Sequence, residues 1–264
     1  CGLNSIGIGS GGGVGKVTAE WLMTGHINED IFNYDIKRFQ KFHSELGFIK
    51  DRITESLGDL YGMHWPYKQH KTSRNIKTLP HHDLLKGFGA CFGVSAGYER
   101  PMWFALDGEK SEYEYSYNYQ NWYPSVEYET NNTMKNVGLY DLTPFSKFEI
   151  KSEKAHQELQ KICTSNIKNE IGKCTYTHML NNDGGIETDL TIVCIDKNYF
   201  RIISSAATRE RDKFHIRKHL SEEIELIDIT DKYCVFGLFG PKSRQLIKTI
   251  SKDNFENDNF KFGT

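Results

Sequence analysis

The run Gly7-Ile8-Gly9-Ser10-Gly11-Gly12-Gly13-Val14-Gly15-Lys16 constrains this chain more than any other ten residues. Glycine reaches backbone conformations closed to other residues and lets a ligand approach the main chain. Placed just before a helix, such a run presents N–H groups at the positive end of the helix dipole. Val17, Ala19, Trp21 and Leu22 read as that helix, and Gly25 is placed to end it. Residues 1–41 are therefore expected to form a short strand, a glycine turn and a helix. Two phosphate-binding motifs fail. A P-loop needs glycine where Ser10 stands and a hydroxyl where Val17 stands. The dinucleotide pattern fits Gly7, Gly9 and Gly12, but the acidic residue it needs at the end of a following strand is missing, since Asp30 comes after the helix has ended. Two readings remain: a tight turn without a ligand, or a helix N-terminus offered to an electron-rich group. A flavin suits the second, because its reduced ring gathers negative charge near N1 and O2.

Residues 42–107 carry helix signals at 48–60 and 81–87 around a polar loop. Between 108 and 121, tyrosines at 113, 115, 117 and 119 alternate with polar residues, the pattern of an edge strand or a surface linker. From Trp122 onward the pattern is α+β. A strand-like run holds Phe145, Phe148 and Ile150, and a helix follows over 155–163. Strands are expected at 176–180, 190–195, 199–204 and 233–239, with a turn at Gly184-Gly185 and a helix from about Arg209. Gly240-Pro241 marks the turn into a last helix.

A net charge of −2 argues against a nucleic-acid footprint, which shows as a basic excess. The run from Arg209 to His219 carries both signs and reads as a solvated helix face. No apolar stretch reaches the roughly 20 residues needed to cross a bilayer, and the glycine-rich opening is no signal peptide. Six cysteines without a CxxC pair suggest buried free thiols in a reducing compartment rather than disulfides or a zinc site. His64, His81 and His82 have no spacing that demands a metal. The chain opens without an initiator Met and stops soon after a strand-and-helix pattern, so both ends are expected to be cut. Its Lys-, Asn- and Ile-rich composition points to a bacterial cytoplasm, with a mitochondrial matrix as the alternative.

The phrases GLNSIGIGSGGGVGKVTAEWLMTG, YDIKRF, YGMHWP and GYERPMWF, followed by GLYDLTPFSKFEI, YTHMLNNDGGIETDLTI and FGLFGPKSR, run in one order over nearly the whole chain. In that order they resemble the dimethylglycine and sarcosine dehydrogenase family. The resemblance implies an α+β chain in three parts. Residues 1–41 would be the tail of an FAD-binding α/β domain, 42–107 a small connecting domain, and 108–264 the first part of an aminomethyltransferase-like, folate-binding domain. It implies oxidation of a small methylated amine by FAD and capture of the one-carbon unit by tetrahydrofolate, with oxygen or an electron-transfer flavoprotein as acceptor. Alternatives are a flavin-independent folate transferase or demethylase, and a non-catalytic folate-binding module.

By this resemblance Ser10, Gly11, Gly12, Gly13, Val14 and Gly15 would contact FAD through backbone N–H groups. The transferase has two acidic residues after its GG turn; here Thr188 takes the first position and Asp189 keeps the second. Asp189 is thus the carboxylate expected to orient or deprotonate folate N10, or else a strand-start Asp bonded to local backbone. Phe145 would pack on the pterin, Tyr176 would line the pocket, and Ser204 and Ser205 would offer contacts at a strand end, with Ser205 in place of the family's Asn. His178 is read as a core or rim histidine rather than a base.

Overall fold

The computed structural model describes residues 3, 6–27 and 29–264, in two compact units, residues 1–38 and 39–264. In the first unit, helix α1 spans Gly7–Thr24. Gly25 caps it in the left-handed region at φ 76°, donating its N–H to the Trp21 carbonyl at 2.8 Å. Two 3₁₀ turns follow, Phe32–Tyr34 and Ile36–Arg38, and Lys16 reaches Glu29 at 2.9 Å.

The glycine run is not the expected turn. It forms the first half of α1, and the expected opening strand lies largely outside the described residues. Within it the main chain satisfies itself by closing i to i−4 bonds, beginning with Ser10 N–H to the Ile6 carbonyl at 2.9 Å. Each glycine costs such a helix about 1 kcal/mol relative to alanine, and none of its described side chains is buried.

The second unit opens with a 3₁₀ turn, Lys41–Ser44, and helices α2 (Leu46–Asp59) and α3 (His82–Gly87). Next comes a hairpin that the sequence reading did not anticipate, β1 (Ala90–Ser95) with β2 (Tyr98–Phe104). Its two turn residues, Ala96 and Gly97, both have positive φ, 52° and 81°, as a type I′ turn requires. Residues 108–121 form no strand. Their tyrosines pack instead: Tyr113 lies edge-on to Trp122 at 5.1 Å, Trp122 stacks near Trp103, and Tyr115 Oη accepts the Gln69 N–H.

Helix α4 (Tyr123–Lys135) precedes strand β3 (Gly138–Asp141), and strand β4 (Ser146–Lys151) leads to helix α5 (Ala155–Ile162). Strands β5 (Cys174–Leu180), β6 (Ile186–Asp196) and β7 (Tyr199–Ser204) then run as a meander. Helix α6 (Arg209–His219), strands β8 (Leu226–Asp228) and β9 (Phe236–Phe239), and helix α7 (Ser243–Ile250) complete the unit. Strand β9 is shorter than the expected 233–239 and pairs with β3 alone.

The main sheet is antiparallel, in the order β5-β6-β7-β4-β8. Strand residues alternate between faces, and one face carries Ile150, Met179, Ile192, Phe200 and Ile202 into a core with Leu159 of α5 and Ile216 of α6. Each such side chain contributes about 1.5–3 kcal/mol by leaving water. The opposite face, with Tyr176, Asp189 and Ile203, stays exposed or half-buried. The run Arg209–His219 is the helix expected, but not wholly solvated: Asp212 and Ile216 turn into the core.

Candidate functional site

The open face is organised by the turn between β5 and β6. Gly184 has φ 82°, a left-handed conformation that favours glycine. The Asn181 side-chain oxygen accepts the N–H groups of Asp183 and Gly185, at 3.0 and 2.8 Å. A Cβ on Gly185 would stand 2.9 Å from that same amide group. Beyond the turn, Leu180 pairs with Ile186 and Met179 with Thr188, so Glu187 is a bulged residue. The Arg211 guanidinium of α6 holds it, donating to the Glu187 carbonyl at 2.9 Å and to its carboxylate at 2.8 Å. After this bulge Thr188 and Leu190 face the core, while Asp189 faces outward.

Asp189 sits directly across from His178 in register, and the Tyr176 hydroxyl donates to Asp189 Oδ2 at 3.1 Å. The rings of Tyr176 and His178 meet edge-on at 5.4 Å. The hydrogen bond to the carboxylate raises the Tyr176 pKa, so the phenol remains a donor. Strand register extends the group sideways. Leu190 pairs with Ser204, and Ser204 with Ser146. One residue further along, Asp189, Ser205 and Phe145 therefore lie level across β6, β7 and β4. With strands about 4.8 Å apart, the row from His178 to Phe145 spans about 14 Å.

Phe145 is partly exposed at the mouth of β4. Its carbonyl and that of Thr143 accept the buried Lys147 ammonium, each at 2.8 Å, and burial lowers the Lys147 pKa. Ser205 is half-buried, and its carbonyl accepts Ser146 Oγ at 3.0 Å. Ser204 does not join the row. Strand alternation turns its side chain into the core, where it is 2% exposed, so its hydroxyl is not offered to the open face.

A buried carboxyl group lies beneath the row. Asp212 is 1% exposed and accepts Thr208 Oγ1 at 2.7 Å. Its Oδ1 makes no hydrogen bond of good geometry, nor does the nearby Ser204 Oγ. Burial pushes Asp212 up to about 6, against the pull of the Thr208, Ser204 and Thr188 hydroxyls. A carboxylate in place of Thr188 would meet Asp212 in the core rather than a ligand on the open face.

On the open face Glu149 and Arg201 form an ion pair at 2.6 Å, with the Tyr233 ring against the guanidinium at 4.5 Å. Neither this pair nor the placement of His178 beside Asp189 was anticipated; cross-strand register is the signal that carries them. A separate cleft of about 410 Å³ is lined by Met102, Phe104 and Leu139, and at its edge His81 Nε2 lies 2.7 Å from Asp141 Oδ2.

Ser10 and Gly11–Gly15 belong to the other unit. Their N–H groups are spent inside α1, which closes the backbone route by which a flavin contact was expected. Nothing lies within 4 Å of where a Cβ on Gly11, Gly12, Gly13 or Gly15 would stand.

Residues 81–264 match the family model of the GCVT N-terminal domain, and residues 24–78 that of the FAD dependent oxidoreductase central domain. A 4-methylaminobutanoate oxidase (formaldehyde-forming) of Paenarthrobacter nicotinovorans is 35% identical over 97% of this chain and 31% of its own length. The mitochondrial pyruvate dehydrogenase phosphatase regulatory subunit of Mus musculus is 30% identical over 98% of this chain and 30% of its own. The mitochondrial dimethylglycine dehydrogenase of Rattus norvegicus is 28% identical over 98% and 31%. The chain thus spans about a third of the length of these relatives. Among solved structures, the glycine cleavage system aminomethyltransferase T of Bartonella henselae shares the fold. It aligns with a TM-score of 0.57 at 22% identity, over 69% of this chain and 45% of that one. No described helix is long and apolar enough to cross a membrane.

Proposed function

Because the chain belongs to the GCVT N-terminal domain family, joined to an FAD dependent oxidoreductase central domain, we propose that it is the folate-binding stretch of an FAD-dependent oxidoreductase acting on N-methylated amines. The single observation that carries this reading is the Tyr176–Asp189 hydrogen bond on the open sheet face, level with Ser205 and Phe145.

The residues fit a folate. Phe145 offers a ring edge to a flat heterocycle, Ser205 a polar contact, and Asp189 the carboxylate that a weakly basic amine needs beside it. With Oδ2 occupied by Tyr176, Asp189 presents Oδ1 to the ligand. Tetrahydrofolate, when bound, supplies the nitrogen that takes up the one-carbon unit. Asp189 would take the proton from that nitrogen, and Tyr176 holds the carboxylate in its outward orientation. His178 stands opposite Asp189 in register, its ring edge-on to Tyr176.

The flavin is a different case. Ser10 and Gly11–Gly15 form no N–H cradle in this arrangement, so no step is drawn through it. Its place in the proposal rests on the family alone. The amine substrate is proposed as a class, an N-methylated amino acid such as dimethylglycine or sarcosine.

A second reading, a folate-binding module without catalysis, has one observation in its favour: the regulatory subunit among the relatives matches as much of this chain as the oxidoreductases do. One experiment separates the two. The full reading frame is expressed, and its visible spectrum is followed on adding sarcosine, dimethylglycine or 4-methylaminobutanoate, with and without tetrahydrofolate. A flavin band that bleaches with one of these amines, with one-carbon-loaded folate as product, is expected. A colourless protein that still binds tetrahydrofolate would establish the regulatory module instead.

A further inference from the structure

The loop after α2 brings together three side chains that neither the fold nor the proposed reaction uses. Glu55 and Asp59 are four residues apart on α2 and share a face of that helix. His70 reaches them from the loop. Its Nδ1 lies 3.5 Å from Asp59 Oδ2 and 3.9 Å from Glu55 Oε1. One atom from each residue falls within a 4.8 Å span.

The His70 Nδ1 atom is itself buried and has no hydrogen-bond partner among the described residues. The rest of the His70 side chain is 42% exposed, so the ring opens to solvent while its Nδ1 faces the two carboxylates.

Each carboxylate is also oriented from outside. Glu55 Oε2 accepts the N–H and hydroxyl of Thr72, and Oε1 accepts the Lys71 N–H at 2.7 Å. Asp59 Oδ1 is taken by Lys68, which leaves Oδ2 turned to His70. The loop itself is pinned: Gln69 donates its N–H to Tyr115 Oη and accepts the Val94 N–H, each at 2.8 Å, and Arg74 holds the His70 carbonyl. Outer hydrogen bonds of this kind preset metal ligands. Bonds of about 2.0–2.2 Å to a tetrahedral Zn²⁺ imply ligand–ligand edges of about 3.3–3.6 Å, so the two His70 edges of 3.5 and 3.9 Å lie within a few tenths of an ångström of closing.

We propose that Glu55 Oε1, Asp59 Oδ2 and His70 Nδ1 form a divalent transition-metal site, with Zn²⁺ as its natural class of ion, that staples the loop to the end of α2. One imidazole with two carboxylates suits zinc over calcium or magnesium. Water completes the coordination, and Lys68 stays on Asp59 Oδ1 beside the ion. Arg52 and Lys68 offset much of the carboxylate charge, so binding is moderate rather than tight.

The test uses the whole 264-residue chain with Zn²⁺ alone, titrated against a competing chelator, and with Co²⁺ as a spectroscopic substitute. One ion per chain is expected, with a visible Co²⁺ band and no thiolate charge-transfer band. His70→Gln and Asp59→Asn should each weaken Zn²⁺ binding at least 10-fold while the far-UV spectrum stays as in the parent. Lys68→Gln, which keeps all three ligands, should bind several-fold tighter. The absence of saturable binding, a thiolate band, or a folded His70→Gln chain with parental affinity would overturn the proposal. Should both ligand variants fail to fold, Lys68→Gln decides, and unchanged or weaker affinity there would overturn it.

Discussion

Tyr176 donates to Asp189 from a position two residues out of register on the neighbouring strand, at 3.1 Å. A diagonal contact of this kind lies within reach of long side chains. It joins the two candidate residues that bear most directly on proton transfer. Removing either one should therefore have separable effects.

Asp189→Asn removes the proton acceptor but keeps the shape. In the full-length protein, one-carbon transfer to tetrahydrofolate is expected to fall about 100-fold or more, as for loss of a general base. Tyr176→Phe should cost only about 3- to 10-fold, because a solvent-exposed bond to a carboxylate is weak. Single-turnover formation of loaded folate measures both. Equal, negligible effects would remove Asp189 from the mechanism.

Asp212 ties stability to pH. Its folded pKa of about 6 lies above the ordinary aspartate value of 3.8, so the folded chain holds a proton that the unfolded chain releases. The stability this provides is fully present below about pH 4 and is lost as pH rises through about 6, a change on the order of 3 kcal/mol. Asp212→Asn should flatten this segment of the pH profile and leave the chain more stable than the parent at pH 7. Urea midpoints at pH 5 and pH 7.5 would show whether the slope belongs to Asp212.

Arg74 forms two bonds to Glu99, at 2.6 and 2.7 Å, and Glu99 is 2% exposed. Burial works to raise the Glu99 pKa, but Arg74 and the Asn75 N–H lower it on balance. That stability is present above the unfolded pKa of about 4.5 and is lost as pH falls through the lower folded value. Arg74→Met strands a buried charge and should cost about 3–5 kcal/mol. A denaturation midpoint unchanged in Arg74→Met would contradict this.

Ala96 sits at φ 52° in the β1–β2 turn. Ala96→Gly should stabilise the chain by up to about 1 kcal/mol, since the left-handed region burdens any residue with a Cβ. Gly97→Ala should do the opposite, because its Cβ would stand 2.9 Å from Gln40 Nε2 as well. Thermal midpoints of the two variants should move in opposite directions.

The same turn shows where the sequence was opaque. Type I′ hairpins announce themselves through Asn-Gly or Asp-Gly; Ala96-Gly97 carries half of that signal, and the hairpin went unread. Strand β6 was plain because residues 190–195 are a nearly continuous apolar run rich in β-branched side chains, and the glycine pair marked its start. The glycine run misled in the other direction, because conformational freedom permits a turn without demanding one. Asp189 and Tyr176 were legible as residues but not as a bonded pair, which depends on register. Glu55 and Asp59 have helical spacing, yet His70 joins them only through the path of a loop that no periodicity encodes.

The bulge at Glu187 sets a rule for how this protein can vary over evolutionary time. Since Thr188 and Asp189 look to opposite sides of one strand, the count of residues between Asn181 and Leu190 matters by its parity. Losing or gaining a single residue there would exchange the pair, setting Asp189 against Asp212 indoors and leaving a threonine outside. Changes of two residues would preserve the arrangement. Descendants of this chain should therefore tolerate even-numbered length changes in this loop and be purged of odd ones.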